Sequence, residues 1–262
     1  MDSISPDNAT YLTPPVQPAL LSRLFPSLWF YAGFLDIVYR AAHLAKRRAY
    51  DQEAWGASSL EVLRRLERGG IRMEVTGLQN VAASSWPVVF IGNHLSVMET
   101  VVLPSLLLPY GSVTYVIKQS LLDVPVFKHV MRSCRPIAVT RTNPRQDLKL
   151  VLEEGGTRLR EGCSIIIFPQ TTRTAFHPEQ FSTIGVKLAK KTGVPIIPVA
   201  LCTDAWGNGR WLKDFGKIRP QRRVRFAFGE PVAVTGKGND EHETVIDFIQ
   251  QHLHRWQEQD RR

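Results

Sequence analysis

The chain has 262 residues, 44% of them hydrophobic, and carries 33 Lys and Arg against 24 Asp and Glu for a formal charge of +9. That apolar content excludes a chain disordered throughout, and the length suits one large domain or one domain with a small appendage. The positive excess favours anionic partners without choosing among nucleic acid, anionic lipid and a phosphorylated substrate.

Residues 1–18 read as a polar tail containing Pro14, Pro15 and Pro18. No basic segment followed by an apolar core opens the chain, so a signal peptide is not expected. From about Ala19 to Ala45 an apolar helix is predicted, with Leu20, Leu24, Leu28, Phe30, Phe34 and Val38 among its residues. Its uncharged stretch, between Arg23 and Asp36, falls short of the ~20 residues that span a bilayer. An interfacial helix fits better, with Trp29, Tyr31 and Tyr39 at headgroup level and the basic cluster Lys46-Arg47-Arg48 toward anionic lipid. A second helix is predicted over Gln52–Arg68, ended by Gly69-Gly70. Residues 19–70 thus form a helical pair at a membrane interface, or else a hairpin packed on the globular domain without lipid contact.

From Ile71 onward short Val- and Ile-rich runs alternate with helical patterns. Strands are predicted at Arg72–Thr76, Val88–Ile91, Val113–Ile117, Ile137–Thr140, Ser164–Phe168, Ile196–Leu201 and Val224–Phe228. Several are apolar almost throughout, as strands covered on both faces should be. Helices are predicted at about Ser96–Leu108, Pro144–Gly162 with Thr142 or Asn143 as cap, Ser182–Thr192, and Glu241–Trp256. The fold class is therefore α/β, a mostly parallel, mixed sheet of about seven strands flanked by helices over residues 71–262. Active sites in such sheets gather at the carboxyl ends of strands. Cys134, Cys163 and Cys202 are odd in number and form no CxxC pair. They argue against a disulfide framework or a structural zinc site and suit a reducing compartment.

The strand Val88–Ile91 leaves through Gly92-Asn93 to His94, with Ser96 placed to cap the next helix and Glu99 five residues after the histidine. Five residues turn about 140° on a helix, so the pair can meet only if His94 lies ahead of the helix and folds back over its first turn. A carboxylate bonded to one imidazole nitrogen fixes the tautomer and makes the other nitrogen a general base. No serine or cysteine nucleophile is needed for such a base to deprotonate an alcohol that attacks an activated acyl group.

Further blocks sharpen this reading. Asn93-His94-Leu95-Ser96-Val97-Met98-Glu99, Ile117-Lys118, the strand from Arg135 to Arg141, Phe168-Pro169-Gln170-Thr171-Thr172-Arg173-Thr174 and Val194-Pro195-Ile196-Ile197-Pro198-Val199 stand in order. Between Gly77 and Pro231 the chain resembles the lysophospholipid (glycerolipid) acyltransferase family, whose blocks read N-H-x-S-x-x-D, F-P-E-G-T-R-S and V-P-[IV]-[IV]-P-[VI]. The resemblance implies His94 as the base, Glu99 as its orienting carboxylate, and Lys118, Arg141 and Arg173 as ligands of an acceptor phosphate. Arginine's fork suits bidentate phosphate binding and lysine adds a point charge. Gln170, Thr171 and Thr172 would complete the substrate-binding loop.

Two departures stand out. Glutamate replaces aspartate in the dyad, lengthening its arm by about 1.5 Å. Gln170-Thr171 replaces Glu-Gly, exchanging a carboxylate for an amide and a permissive glycine for a β-branched residue, so a differently shaped loop is expected. Of the apolar blocks nearby, Val101–Leu103 and Leu106–Leu108 read as helix core, whereas Leu121, Leu122, Val124, Val126 and Phe127 can line an acyl channel.

The expected function is transfer of a fatty acyl group from acyl-CoA or acyl carrier protein to a lysophospholipid hydroxyl, with 1-acylglycerol-3-phosphate the default acceptor. It requires no metal and no tightly bound cofactor, and the expected location is the cytoplasmic face of a membrane. The altered third block motivates an alternative, a non-catalytic lipid-binding or membrane scaffold protein of the same fold. A hydrolase lacks support because no G-x-S-x-G elbow is present, and nucleic-acid binding lacks a motif.

Overall fold

The computed structural model of the protein describes residues 10–170 and 172–261. Its strands are β1 (Thr10–Leu12), β2 (Met73–Thr76), β3 (Val89–Gly92), β4 (Val113–Lys118), β5 (Ile137–Val139), β6 (Ser164–Ile167), β7 (Ile196–Cys202) and β8 (Val224–Phe228). The last seven coincide with the predicted strands to within about a residue. β1 lies in the segment read as a tail and pairs antiparallel with β2 at the sheet edge, which a short proline-flanked strand can occupy.

The order across the sheet is β1-β2-β8-β7-β3-β6-β4-β5. From β7 to β5 every neighbouring pair is parallel. β8 runs antiparallel to β7 and parallel to β2, which makes the sheet mixed. β3 and β6 are buried at every residue because helices cover both faces. Their alternation divides the core in two. Phe90 and Ile166 face one apolar cluster, while Val89, Ile91, Ile165 and Ile167 face the other.

The first cluster is closed by α2 (Pro26–Lys46) and α3 (Gln52–Arg68), which follow the short α1 (Leu20–Leu24), and by α5 (Met98–Leu107), which follows the short α4 (Leu78–Ala82). The second is closed by α7 (Pro144–Arg160), α8 (Ile184–Thr192) and α9 (Asn239–Arg261), with the short α6 (Phe127–Ser133) lying before β5. Asn143 caps α7 as expected, its Oδ1 accepting the Gln146 N–H at 3.2 Å.

The apolar helix predicted from Ala19 is broken at Phe25, whose φ of −132° and ψ of 64° are not helical. Pro26 causes the break, because a proline ring drives the preceding residue out of the helical region. α2 then serves two surfaces. Phe30, Phe34, Ile37 and Val38 are buried in the domain, whereas Leu28, Leu35, Tyr39 and Leu44 are exposed together with Leu20, Leu21, Leu24 and Phe25. Two of the expected headgroup anchors are corrected. Trp29 lies beneath the Arg65 guanidinium, 4.1 Å from ring centre to Cζ, and the Tyr31 hydroxyl donates to the Gly216 carbonyl. Both are drawn into protein contacts, and only Tyr39 remains open. Among the described residues no helix is long and apolar enough to cross a membrane.

Candidate active site

β3 ends against β7. Gly92 lies so close that a Cβ there would sit 2.9 Å from the Val199 carbonyl oxygen. Asn93 then ties the two chains together, donating from Nδ2 to the Leu201 carbonyl at 2.9 Å and accepting the Leu201 N–H at 2.8 Å. This clamp fixes where His94 emerges. α5 begins only at Met98, so His94 precedes the helix and Glu99 lies in its first turn. The imidazole folds back as the spacing required, and its Nδ1 stands 2.9 Å from Glu99 Oε1. The longer glutamate arm is thus accommodated.

Glu99 is fully buried and saturated with donors. Its Oε1 also accepts the Leu95 N–H at 2.6 Å and the Ser96 N–H at 2.8 Å. Its Oε2 accepts the hydroxyls of Ser96, at 3.0 Å, and Thr203. The Ser96 hydroxyl accepts the Met98 N–H at 3.1 Å, but it stands one residue ahead of the cap position, which Val97 occupies, so the expected capping role is corrected. Burial pushes the Glu99 carboxyl up, but the hydrogen bonds from His94, Thr203 and the Ser96 main chain outweigh it and hold it below the usual carboxylate range. A carboxylate on Nδ1 keeps the ring proton there and leaves Nε2 as the acceptor. The ring is stacked on Phe168 at 4.6 Å and 4°, with 12% of the side chain exposed. It has one open nitrogen and little freedom to turn.

The three expected cations follow β4, β5 and β6 in turn, and all line the same cavity as His94. Lys118 is the last residue of β4. Arg141 sits two residues past β5 with φ 63°, a left-handed conformation. Asp147 holds it there, accepting the Thr140 N–H at 2.9 Å and the Arg141 N–H at 2.7 Å. The Arg141 pKa is lowered, first by partial removal from solvent and then by the charge of Arg173. Arg173 donates through Nη2 to Asp214 at 2.5 Å, while its Nη1 is buried without a hydrogen-bond partner.

Apart from Phe168 and Arg173, the third block lies off the cavity wall where it is described. Gln170 is buried, accepts the His94 N–H at 3.3 Å and donates to the Ala175 carbonyl at 3.1 Å. Both ends of its amide are engaged by the main chain, so it shapes the loop under His94 and does not line the cavity. Thr172 is exposed and lies off the cavity wall. Thr171 lies outside the described residues.

Beyond the histidine, the cations and Asp214 the cavity wall is mostly apolar, with Ser58, Ser59 and Thr100 as its small polar members. Leu121, Val124 and Phe127 line it, as the channel reading expected, and so does Val101. Leu122 packs at the core margin and Val126 is exposed, so those two are not on the wall. Val102, Leu103, Leu106 and Leu107 are buried core. Phe34 of α2 and Trp55 of α3 close the far side.

The acyltransferase family model matches residues 72–202, half of the chain. The chain belongs to the acyltransferase family. It is similar to the 1-acyl-sn-glycerol-3-phosphate acyltransferase of Pseudomonas aeruginosa, with 34% identity over 152 residues that cover 57% of each chain. A second relative, the 1-acyl-sn-glycerol-3-phosphate acyltransferase of Borreliella burgdorferi, is 33% identical over 135 residues, 50% of this chain and 52% of that one. The chain thus spans little more than half the length of these curated relatives. Its fold resembles the crystal structure of the 1-acyl-sn-glycerophosphate (LPA) acyltransferase PlsC from Thermotoga maritima, with a TM-score of 0.65 and 19% identity over 89% of this chain and 95% of that one.

In this acyltransferase-family chain two site residues escaped the sequence reading. Thr203 directly follows β7, and its position after a strand beside β3 is the one signal that could have found it. Asp214 stands 41 residues from Arg173 in a segment with no pattern. Both lie beyond the matched span.

Proposed function

We propose that the protein transfers a fatty acyl group from an acyl thioester, acyl-CoA or acyl carrier protein, to the free hydroxyl of a 1-acylglycerol-3-phosphate-like acceptor. The observation that carries this is a histidine fixed by a buried carboxylate at the mouth of an apolar cavity that also holds Lys118, Arg141 and Arg173. His94 Nε2 takes the hydroxyl proton as the acceptor oxygen attacks the thioester carbonyl. A C–O bond forms, main-chain N–H groups stabilise the oxyanion, the C–S bond breaks, and the imidazolium returns its proton to the leaving thiolate. Glu99 stabilises the imidazolium and keeps Nε2 on the reacting side.

The acceptor's phosphate is bound by the three cations. Arg173 has an unpartnered buried nitrogen ready for an anion, and its bond to Asp214 is one a phosphate can replace. The apolar wall takes acyl chain. The exposed apolar side chains of α1 and α2 lie in a membrane surface, with Lys46, Arg47 and Arg48 toward anionic headgroups. The relatives' names support the acceptor class. A scaffold without turnover has less support, because the dyad is intact and fully hydrogen-bonded.

The test is His94→Ala assayed with labelled acyl-CoA and a panel of lysolipids. Loss of transfer to lysophosphatidate is expected, and transfer at the wild-type rate would sink the reading. Flotation with liposomes in the same assay separates catalysis from binding alone.

A further inference from the structure

Between β7 and β8 the chain projects a hairpin, residues 205–219, that lies beyond the family-matched span. Its arms are bonded across by Arg219 N–H to the Ala205 carbonyl at 2.8 Å and Gly207 N–H to the Lys217 carbonyl at 3.0 Å. Its tip is closed by Gly209 N–H to the Lys213 carbonyl at 3.0 Å and Phe215 N–H to the Leu212 carbonyl at 2.9 Å. The arms touch at Gly216, where a Cβ would overlap the Gly207 carbonyl. The Trp206 indole N–H adds a bond to the Asp214 carbonyl at 3.0 Å. The tip is therefore a built element and not a slack loop.

What it presents is unusual for a tip. Trp211 is 89% exposed and Leu212 68% exposed. Tips are ordinarily polar, and nothing inside the molecule rewards a bare indole beside a bare leucine. Exposed Arg210 and Lys213 flank them in the chain and exposed Lys217 lies on the returning arm, with the Arg210 guanidinium 5.9 Å from the Trp211 ring centre. An apolar pair flanked by cations is complementary to one surface above others, an anionic bilayer. There an indole sits at headgroup level, leucine enters the acyl region and the cations meet phosphates.

The hairpin's base joins this tip to the rest of the apolar surface. Trp206 packs edge-on against Phe30 and Phe34 of α2, at 4.7 and 5.0 Å. The Ile218 N–H donates to Ser27 Oγ at 3.0 Å. The hairpin is thus clamped to the first turns of α2, next to exposed Leu24, Phe25 and Leu28.

We propose that the 205–219 hairpin is a second lipid-contact element, whose Trp211–Leu212 tip inserts into an anionic bilayer surface beside α1 and the start of α2. This rests on the lipid surface of the proposed function but not on its chemistry. Two residues past Leu212, Asp214 reaches Arg173 at the cavity mouth. A seated tip therefore holds the cation that grips the acceptor phosphate near the bilayer from which an amphiphilic acceptor arrives.

The test uses the full chain and sucrose-loaded vesicles of mixed phosphatidylglycerol and phosphatidylcholine, with sedimentation as the readout. The double variant Trp211→Ala/Leu212→Ala is expected to partition about tenfold less, by the loss of two buried apolar groups. Its thermal unfolding should match wild type, since both side chains are exposed. Trp211→Phe should keep most of the binding but lose the fluorescence quenching that bromine-labelled acyl chains cause. Phosphatidylcholine vesicles should bind wild type several-fold more weakly. His94→Ala should bind as wild type does, so failure of the acyl-transfer reading would leave these results untouched. A folded double variant that sediments like wild type overturns the proposal, and so does wild type that fails to bind. Equal binding to both vesicle types would overturn the choice of an anionic surface. A wild-type chain that self-associates without lipid, with a monomeric double variant, would give the tip to a second copy instead.

Discussion

At the candidate site two carboxylates attend two basic groups, Glu99 beside His94 and Asp214 beside Arg173, and they are held very differently. At the β3–α5 junction Glu99 is fully buried and takes five hydrogen bonds, from His94, two main-chain N–H groups and two hydroxyls. In the 205–219 hairpin Asp214 is 39% exposed and faces Arg173 through one close contact. Buried charges persist only when fully satisfied, whereas half-exposed pairs contribute little and exchange readily with other ions. On the proposed mechanism the first arrangement fixes the base, and the second keeps a cation in place until the anionic acceptor arrives.

Mutation can break or sharpen this contrast. His94→Ala should lower acyl transfer by about 10³-fold in the labelled-donor assay, the span of a lost general base. Glu99→Gln should cost about 10²-fold in kcat, because the ring loses the partner that fixes its tautomer, and about 2 kcal/mol of stability in urea unfolding at neutral pH. The pH dependence has a definite sign. The Glu99 carboxyl is held below its ordinary value of 4.5, so its contribution is complete above that pH and is lost as pH falls through the folded-state value. The stability gap between wild type and Glu99→Gln should therefore narrow below pH 4.5.

The hairpin side should respond more mildly. Arg173→Ala should raise KM for a lysophosphatidate acceptor about 30-fold with a smaller change in kcat, as expected for a lost charge-assisted phosphate contact. Asp214→Asn should lower that KM about threefold at low salt by freeing Arg173, with the effect fading as salt rises. If Asp214→Asn instead impaired transfer as severely as Glu99→Gln, the two carboxylates would have to be doing the same job.

Reading the sequence went furthest where spacing alone carries the physics. Val88–Ile91 is apolar at every position, and the structure buries its counterpart β3 on both faces, with α8 and α9 packed over one of them. His94 and Glu99 were paired from their order and from the one geometry that lets them meet. Structure and expectation part where a neighbour competes for a side chain. Trp29 and Tyr31 were assigned to headgroups, but Arg65 and the Gly216 carbonyl claim them. Gln170 is expected in a substrate-binding loop, yet its amide is taken up by the His94 N–H and the Ala175 carbonyl. Pro26 is plain in the sequence, and it breaks the expected helix at Phe25.

By itself the sequence determined the alternation of strands and helices, the placing of His94 at a strand's carboxyl end and the cations one strand apart from each other, because these follow from local periodicity and chain order. Only the tertiary structure decided that Thr203 completes the cage around Glu99, that Asp214 crosses 41 residues to meet Arg173, and that α2 buries one apolar face while leaving the other bare. Such contacts join residues far apart in the chain. Which partners meet is fixed by how the layers pack, and no local pattern records it.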